Sequence, residues 1–127
     1  MIRLLIVESR TAVRKGLHMR LAAESDLSVI GEAADAPTAV DMSAALHPDV
    51  VLMDVEMPHD DATANAFCSI CQQAPVIILS MHDDALTRAR AKEVGAAAFV
   101  AKSMPAEALL EAIRQVAHAH GEVVILQ

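Results

Sequence analysis

Aromatic side chains are almost missing from this chain: its 127 residues include no Trp, no Tyr and two Phe. So few rings leave little to stack on bases or sugars, and the core must be packed from Ala, Val, Ile, Leu and Met. Cations are also scarce, with 10 Lys and Arg against 17 Asp and Glu and a net charge of −7. That balance argues against direct binding of nucleic acid or an anionic membrane, both of which demand clustered Lys and Arg. No apolar run approaches the roughly 18–20 residues of a membrane span. The opening "MIRLLIVESR" meets an acid too early for a signal peptide. The two cysteines both lie in "CSIC" and suit a reducing compartment, so a cytoplasmic location is expected. The four glycines, at 16, 31, 95 and 121, form no phosphate-binding loop, which weakens a nucleotide- or flavin-binding reading.

What is present is an alternation. "IRLLIV" (2–7), "LSVIGEA" (27–33), "DVVLMD" (49–54), "PVIILS" (75–80) and "AAFVAK" (97–102) are short and apolar, as parallel strands covered on both faces should be. Between them the apolar residues fall at helical spacing: Val13, Leu17 and Leu21; Val40, Ala44 and Ala45; Phe67, Ile70 and Cys71; Leu109, Leu110, Ile113 and Val116. Pro37 suits a first turn, Ser103 and Pro105 mark the start of the last helix, and Gly95 marks a stop. The segment 84–94 has the weakest apolar face, mostly Ala with Leu86 and Val94. Five such alternations predict an open, doubly wound α/β sheet with right-handed crossovers. One domain over residues 1–120 is expected. Gly121 is expected to end the last helix, with 121–127 a tail, a short extra strand or the start of a truncated linker.

In such a sheet ligands bind beyond the carboxyl ends of the strands. Those ends are polar here: Glu8-Ser9 after the first strand, Asp54 after the third, Ser80 after the fourth, Lys102 after the fifth. Singly, each reads as a turn acid, a helix cap or a solvated lysine. Together they place two carboxylates, two hydroxyls and an ammonium on one rim, a set suited to a hard cation such as Mg²⁺ and an oxyanion.

"LLIVES", "PDVVLMDVEMP", "VIILSMHDD" and "GAAAFVAKSMPAEALLEAI" resemble, in order and spacing over residues 2–118, the receiver domain of two-component response regulators. The nearest branch is the one usually fused to a LuxR/NarL-type helix-turn-helix output domain. The resemblance implies a (βα)₅ flavodoxin-like fold with sheet order 2-1-3-4-5, a regulatory rather than enzymatic role, and phosphoryl transfer from a sensor histidine kinase to Asp54. It implies Mg²⁺ held by Glu8, Asp54 and the backbone carbonyl of Glu56. Ser80 matches the switch hydroxyl, Phe99 the aromatic that swings inward with it, and Lys102 the lysine that pairs with phosphoryl oxygens. Homodimerisation is a family-level expectation, and DNA binding would belong to an output domain outside this chain.

Two departures stand out. Receivers of this kind usually carry two adjacent acids after the first strand, and here Ser9 replaces the second, the usual direct metal ligand. Losing even an outer partner typically costs about 10–100-fold in metal affinity, so Mg²⁺ binding is expected to be weakened or lost. Glu8, one methylene longer than Asp, is the side chain with reach to compensate, and Glu56, Asp60 and Asp61 add charge nearby. Ala62 stands where Gly is usual, implying a remodelled loop. The second reading is therefore a degenerate receiver that works as a phosphorylation-independent interaction module.

Readings from other classes are weaker. "DVE" faintly resembles aspartate-nucleophile phosphohydrolases, which carry their paired acids on the first strand. "CSIC" has redox spacing, but Cys68 and Cys71 fall inside a helix beside Phe67 and Ile70, as small core residues do. Of the six scattered histidines, only His59 and His82 fall near the rim.

Overall fold

The computed structural model describes residues 1–54 and 61–126, with side chains described outside 61–63 and 120–126. Five strands alternate with five helices: β1 Ile2–Val7, α1 Thr11–Ala22, β2 Leu27–Ala33, α2 Ala36–Leu46, β3 Val50–Met53, α3 Asp61–Gln73, β4 Val76–Ser80, α4 Ala85–Glu93, β5 Ala98–Ala101 and α5 Ala106–Leu126. The sheet is parallel throughout, in the order β2-β1-β3-β4-β5. Strand order reverses between β1 and β3, which opens a crevice above their carboxyl ends.

Successive strand residues face opposite sides of a sheet, and this divides the core in two. Leu5, Val7, Val51, Met53, Val76 and Ile78 pack against Phe67 and Ile70 of α3 and small residues of α2 and α4. Leu4, Ile6, Val50, Leu52, Ile77 and Leu79 pack against Leu21 of α1 and Leu109, Leu110 and Ile113 of α5. Both layers are mainly aliphatic, the two rings being Phe67 within the first layer and Phe99 packed against its edge.

Local chemistry explains the helix ends. Asp35 caps α2, its side chain accepting from Thr38 N at 2.7 Å, with Pro37 in the first turn. Asp84 caps α4 in the same way through Thr87 N, also at 2.7 Å. Gly95 follows α4 at φ +92°, a left-handed conformation that a residue with a Cβ resists.

Four expectations need correction. The buried line of α2 is Ala36, Ala39 and Ser43, with Val40 half-buried, whereas Ala44 and Ala45 face solvent. Val13 and Leu86 are more exposed than their spacing implied, at 36% and 61%, and Ala91 is the buried residue of α4. The last helix runs through Gly121 to Leu126, because one glycine costs a helix only about 1 kcal/mol and its neighbours sustain it. Ala62 lies within α3, where Ala is preferred to Gly, and the loop expected to be remodelled, residues 55–60, lies outside the described residues.

Candidate functional site

Four of the five strands, all but the edge strand β2, deliver a polar group to the rim because their apolar runs end there. Glu8 follows β1 and is pinned by its backbone, the amide donating to Ala33 O at 2.9 Å while Arg14 Nη1 donates to its carbonyl at 2.8 Å. Asp54 follows β3, its amide donating to Val7 O at 2.7 Å. Ser80 ends β4, its hydroxyl accepting from His82 N at 3.0 Å. Lys102 follows β5, its amide donating to Ser80 O at 2.8 Å. The sheet's own ladder therefore aims all four side chains. Glu8, Asp54 and Ser80 are buried, at 1%, 5% and 9% exposure. They line a cleft of about 250 Å³ with Ser9, Arg10 and Lys102.

The Lys102 ammonium pairs directly with Asp54 Oδ1. Burial, the largest influence, pushes the Asp54 carboxyl above its ordinary value; Lys102 opposes that shift and the nearby Glu8 carboxylate reinforces it. Glu8 behaves oppositely. Burial would raise its pKa too, but hydrogen bonds from the Arg10 side chain and backbone outweigh it and hold the carboxyl below its ordinary value.

Arg10 was not singled out in the sequence. Its amide and its Nε both donate to Glu8 Oε1, at 2.8 and 2.9 Å, and its Nη2 lies 4.0 Å from Asp54 Oδ1. A lone Arg after "ES" looks like a solvated loop residue; the signal that could have found it is a cation at position 10 directly after an acid that the fold buries. Ser9 lies on the rim but is exposed. Phe99 is half-buried on β5, its ring 4.6 Å beneath the Arg88 guanidinium. His82 lines the cleft. Glu56, His59 and Asp60 lie outside the described residues, and so does the Asp61 side chain.

Mg²⁺ prefers a near-octahedral set of oxygens. Among the described residues, no group of three or more His, Cys, Asp or Glu side chains is placed to hold a metal ion. Of the two rim carboxylates, Glu8 Oε1 is engaged by Arg10 and Asp54 Oδ1 by Lys102. Glu8 Oε2 is buried without a hydrogen-bond partner among the described residues. Ser9 contributes no charge. The described side chains alone supply fewer free oxygens than Mg²⁺ needs, and the Glu56 carbonyl that the resemblance assigns to the ion lies outside the described residues.

Cys68 and Cys71 are free and partly buried within α3. Burial, aided by Cys68, pushes the Cys71 thiol up to about 11, the reverse of what a redox nucleophile needs. No described helix is long and apolar enough to cross a membrane.

Comparison with known proteins agrees with this architecture. Residues 4–114 match the response regulator receiver domain family. The chain is 33% identical over 119 residues to the transcriptional regulatory protein DegU of Brevibacillus brevis, covering 91% of this chain and 50% of that protein. It is 34% identical over 134 residues to a protein-glutamate methylesterase/protein-glutamine glutaminase of Carboxydothermus hydrogenoformans, covering 96% of this chain and 38% of that one. The crystal structure of a two-component response regulator of the LuxR family from Aurantimonas sp. SI85-9A1 superposes with a TM-score of 0.82 at 29% identity, covering 92% of this chain and 85% of that one. The chain belongs to the response regulator receiver domain family, and its relatives are consistent with the NarL/LuxR branch. Membership implies phosphorelay signalling. Receivers of this family generally work with sensor histidine kinases and bind Mg²⁺ at an acidic pocket. The chain spans about half the length of DegU.

Proposed function

We propose that this receiver accepts a phosphoryl group on Asp54 from a histidine kinase and passes the event to the face formed by α4, β5 and α5, which controls a transcriptional output. The observation that carries this reading is the pairing of a buried Asp54 with the Lys102 ammonium, beside the Ser80 hydroxyl. A carboxylate attacks phosphorus slowly unless it is aligned and the incoming oxygens are neutralised. The end of β3 aligns Asp54, and Lys102 is placed to receive the phosphoryl oxygens.

In the step itself, an Asp54 carboxylate oxygen attacks phosphorus and an O–P bond forms. The P–N bond to the kinase histidine breaks, and the imidazole nitrogen leaves with the electron pair. An aspartyl phosphate results. Ser80 then turns to bond the phosphoryl group, vacating the space into which Phe99 moves, and the outer face changes shape.

A second reading has a specific observation behind it: with Ser9 in place of an acid and Arg10 against Glu8, the pocket is altered enough for a degenerate receiver that signals by binding or self-association alone. Intact-protein mass after treatment with a small-molecule phosphodonor separates the two. A single phosphoryl adduct in the wild type that is absent in Asp54→Asn supports the first reading; no adduct under any condition leaves the second.

A further inference from the structure

We propose that the Arg10 guanidinium is a built-in replacement for the divalent cation, so that phosphoryl chemistry at Asp54 proceeds without metal. This rests on the reading of Asp54 as the acceptor.

The charge count at the rim carries the first part of the case. The pattern usual for this family sets three carboxylates against one lysine and leaves an excess of two negative charges for a divalent ion to balance. Here Ser9 removes one carboxylate and Arg10 adds one cation. Among the described residues Glu8 and Asp54 then face Arg10 and Lys102, and the charges of these four side chains cancel before any ion arrives.

Arg10 reaches both acids, bonding Glu8 Oε1 at 2.9 Å and lying 4.0 Å from Asp54 Oδ1. An ion bridging these carboxylates through the same two oxygens would have to displace it. Arg10 is 56% exposed over a Glu8 that is 1% exposed, so the guanidinium forms the outer layer of the acid pair. From there it can move from Asp54 to an incoming phosphoryl oxygen without leaving Glu8, a task its planar fork suits.

The α1 helix gives up a cap to place this residue. Arg10 occupies the N-cap position and makes no side-chain cap bond, and the first turn of α1 has no acid. Helix N-termini favour Ser, Thr, Asp or Asn and repel cations. A residue wrong for its helix but right for its pocket marks a position set by the site.

The test runs on the whole chain, with Arg10→Ala and Arg10→Lys, each checked for folding by circular dichroism. Adduct formation from a small-molecule phosphodonor is followed by intact mass in EDTA and in millimolar Mg²⁺, and Mg²⁺ alone is titrated calorimetrically. The wild type should react equally fast with and without Mg²⁺ and show no saturable Mg²⁺ binding. Arg10→Ala should slow by about tenfold or more in EDTA, recover with Mg²⁺, and acquire a Mg²⁺ site. Arg10→Lys, which keeps the charge without the fork, should react in EDTA at a rate between those of the wild type and Arg10→Ala. A wild type that needs Mg²⁺ to react, or that binds it saturably, overturns the proposal and leaves Asp54 as acceptor. A wild type that takes no phosphoryl group in either condition overturns it together with the acceptor reading, and the calorimetry then still shows whether Arg10 excludes the ion.

Discussion

Arg88 is placed to restrain the proposed switch, and removing its charge should loosen it by a calculable amount. The guanidinium carbon lies 4.6 Å from the centroid of the Phe99 ring, within the range of a cation–π contact. If Phe99 swings inward as Ser80 engages a phosphoryl group, that contact is lost, so Arg88 favours the outward ring. A contact of this kind at a half-exposed site is worth about 0.5–1 kcal/mol, which corresponds to about a two- to fivefold change in the outward-to-inward ratio. The ion pair between Arg88 and Asp83 is exposed on both sides, at 51% and 47%, so it adds little of its own. Arg88→Met keeps the aliphatic bulk and removes the charge.

The scarcity of aromatics makes the assay simple. Fluorinated phenylalanine gives two resonances, because the chain holds only Phe67 and Phe99. Phe67 is 1% exposed in the core and serves as the fixed reference. The Phe99 position along a phosphodonor titration reads the ratio, and Arg88→Met should shift the midpoint toward less donor. Asp83→Asn should shift it less. An unchanged midpoint in Arg88→Met, or one that moves toward more donor, would refute the restraint.

Other consequences can be checked separately. Phe67→Ala empties the largest side chain in the layer beneath α3 and should cost about 3–5 kcal/mol in urea unfolding. Gly95→Ala forces a Cβ onto a left-handed backbone and should cost about 1–2 kcal/mol by the same measurement. Glu24 and Asp26 are held below their ordinary values chiefly by hydrogen bonds from Arg114. Their contribution is therefore present above the unfolded-state values and lost as pH falls through the folded ones, so the urea midpoints of wild type and Arg114→Met should differ at neutral pH, begin to converge as pH falls below the ordinary carboxylate range, and meet only in stronger acid. With its thiol pushed up to about 11, Cys71 should alkylate at neutral pH far more slowly in the folded chain than in a denatured control, as mass mapping would show.

The strands were legible because their apolar runs are continuous and end on polar residues. β1 and β2 fall on the expected residues, and the other three lie within one residue of each expected end. The α2 face was misjudged for a physical reason: a helix of mostly small residues offers no contrast between its sides, so Ala44 and Ala45 looked as buriable as Ala36 and Ala39. The C-terminal extent of α5 is not legible at Gly121, because a glycine stops a helix only where its own backbone turns left-handed, as Gly95 does after α4. Glu8, Asp54, Ser80 and Lys102 were legible as a group because parallel strands deliver all their carboxyl ends to one rim.

Arg10 shows what a linear reading leaves out. Sequence position says that Arg10 lies two residues beyond Glu8, and nothing in that spacing says the guanidinium folds back. The return becomes necessary only once Glu8 is buried beside Asp54, because two carboxylates removed from water need a countercharge close by. Lys102 serves Asp54, on the far side of the sheet switch point, and leaves Glu8 to be answered from its own strand end. Replacing the second acid by Ser9 and placing a cation at position 10 are then, on the proposed reading, one change rather than two: each alone leaves one negative charge unmatched among the described side chains, and together they match Glu8 and Asp54 with Arg10 and Lys102.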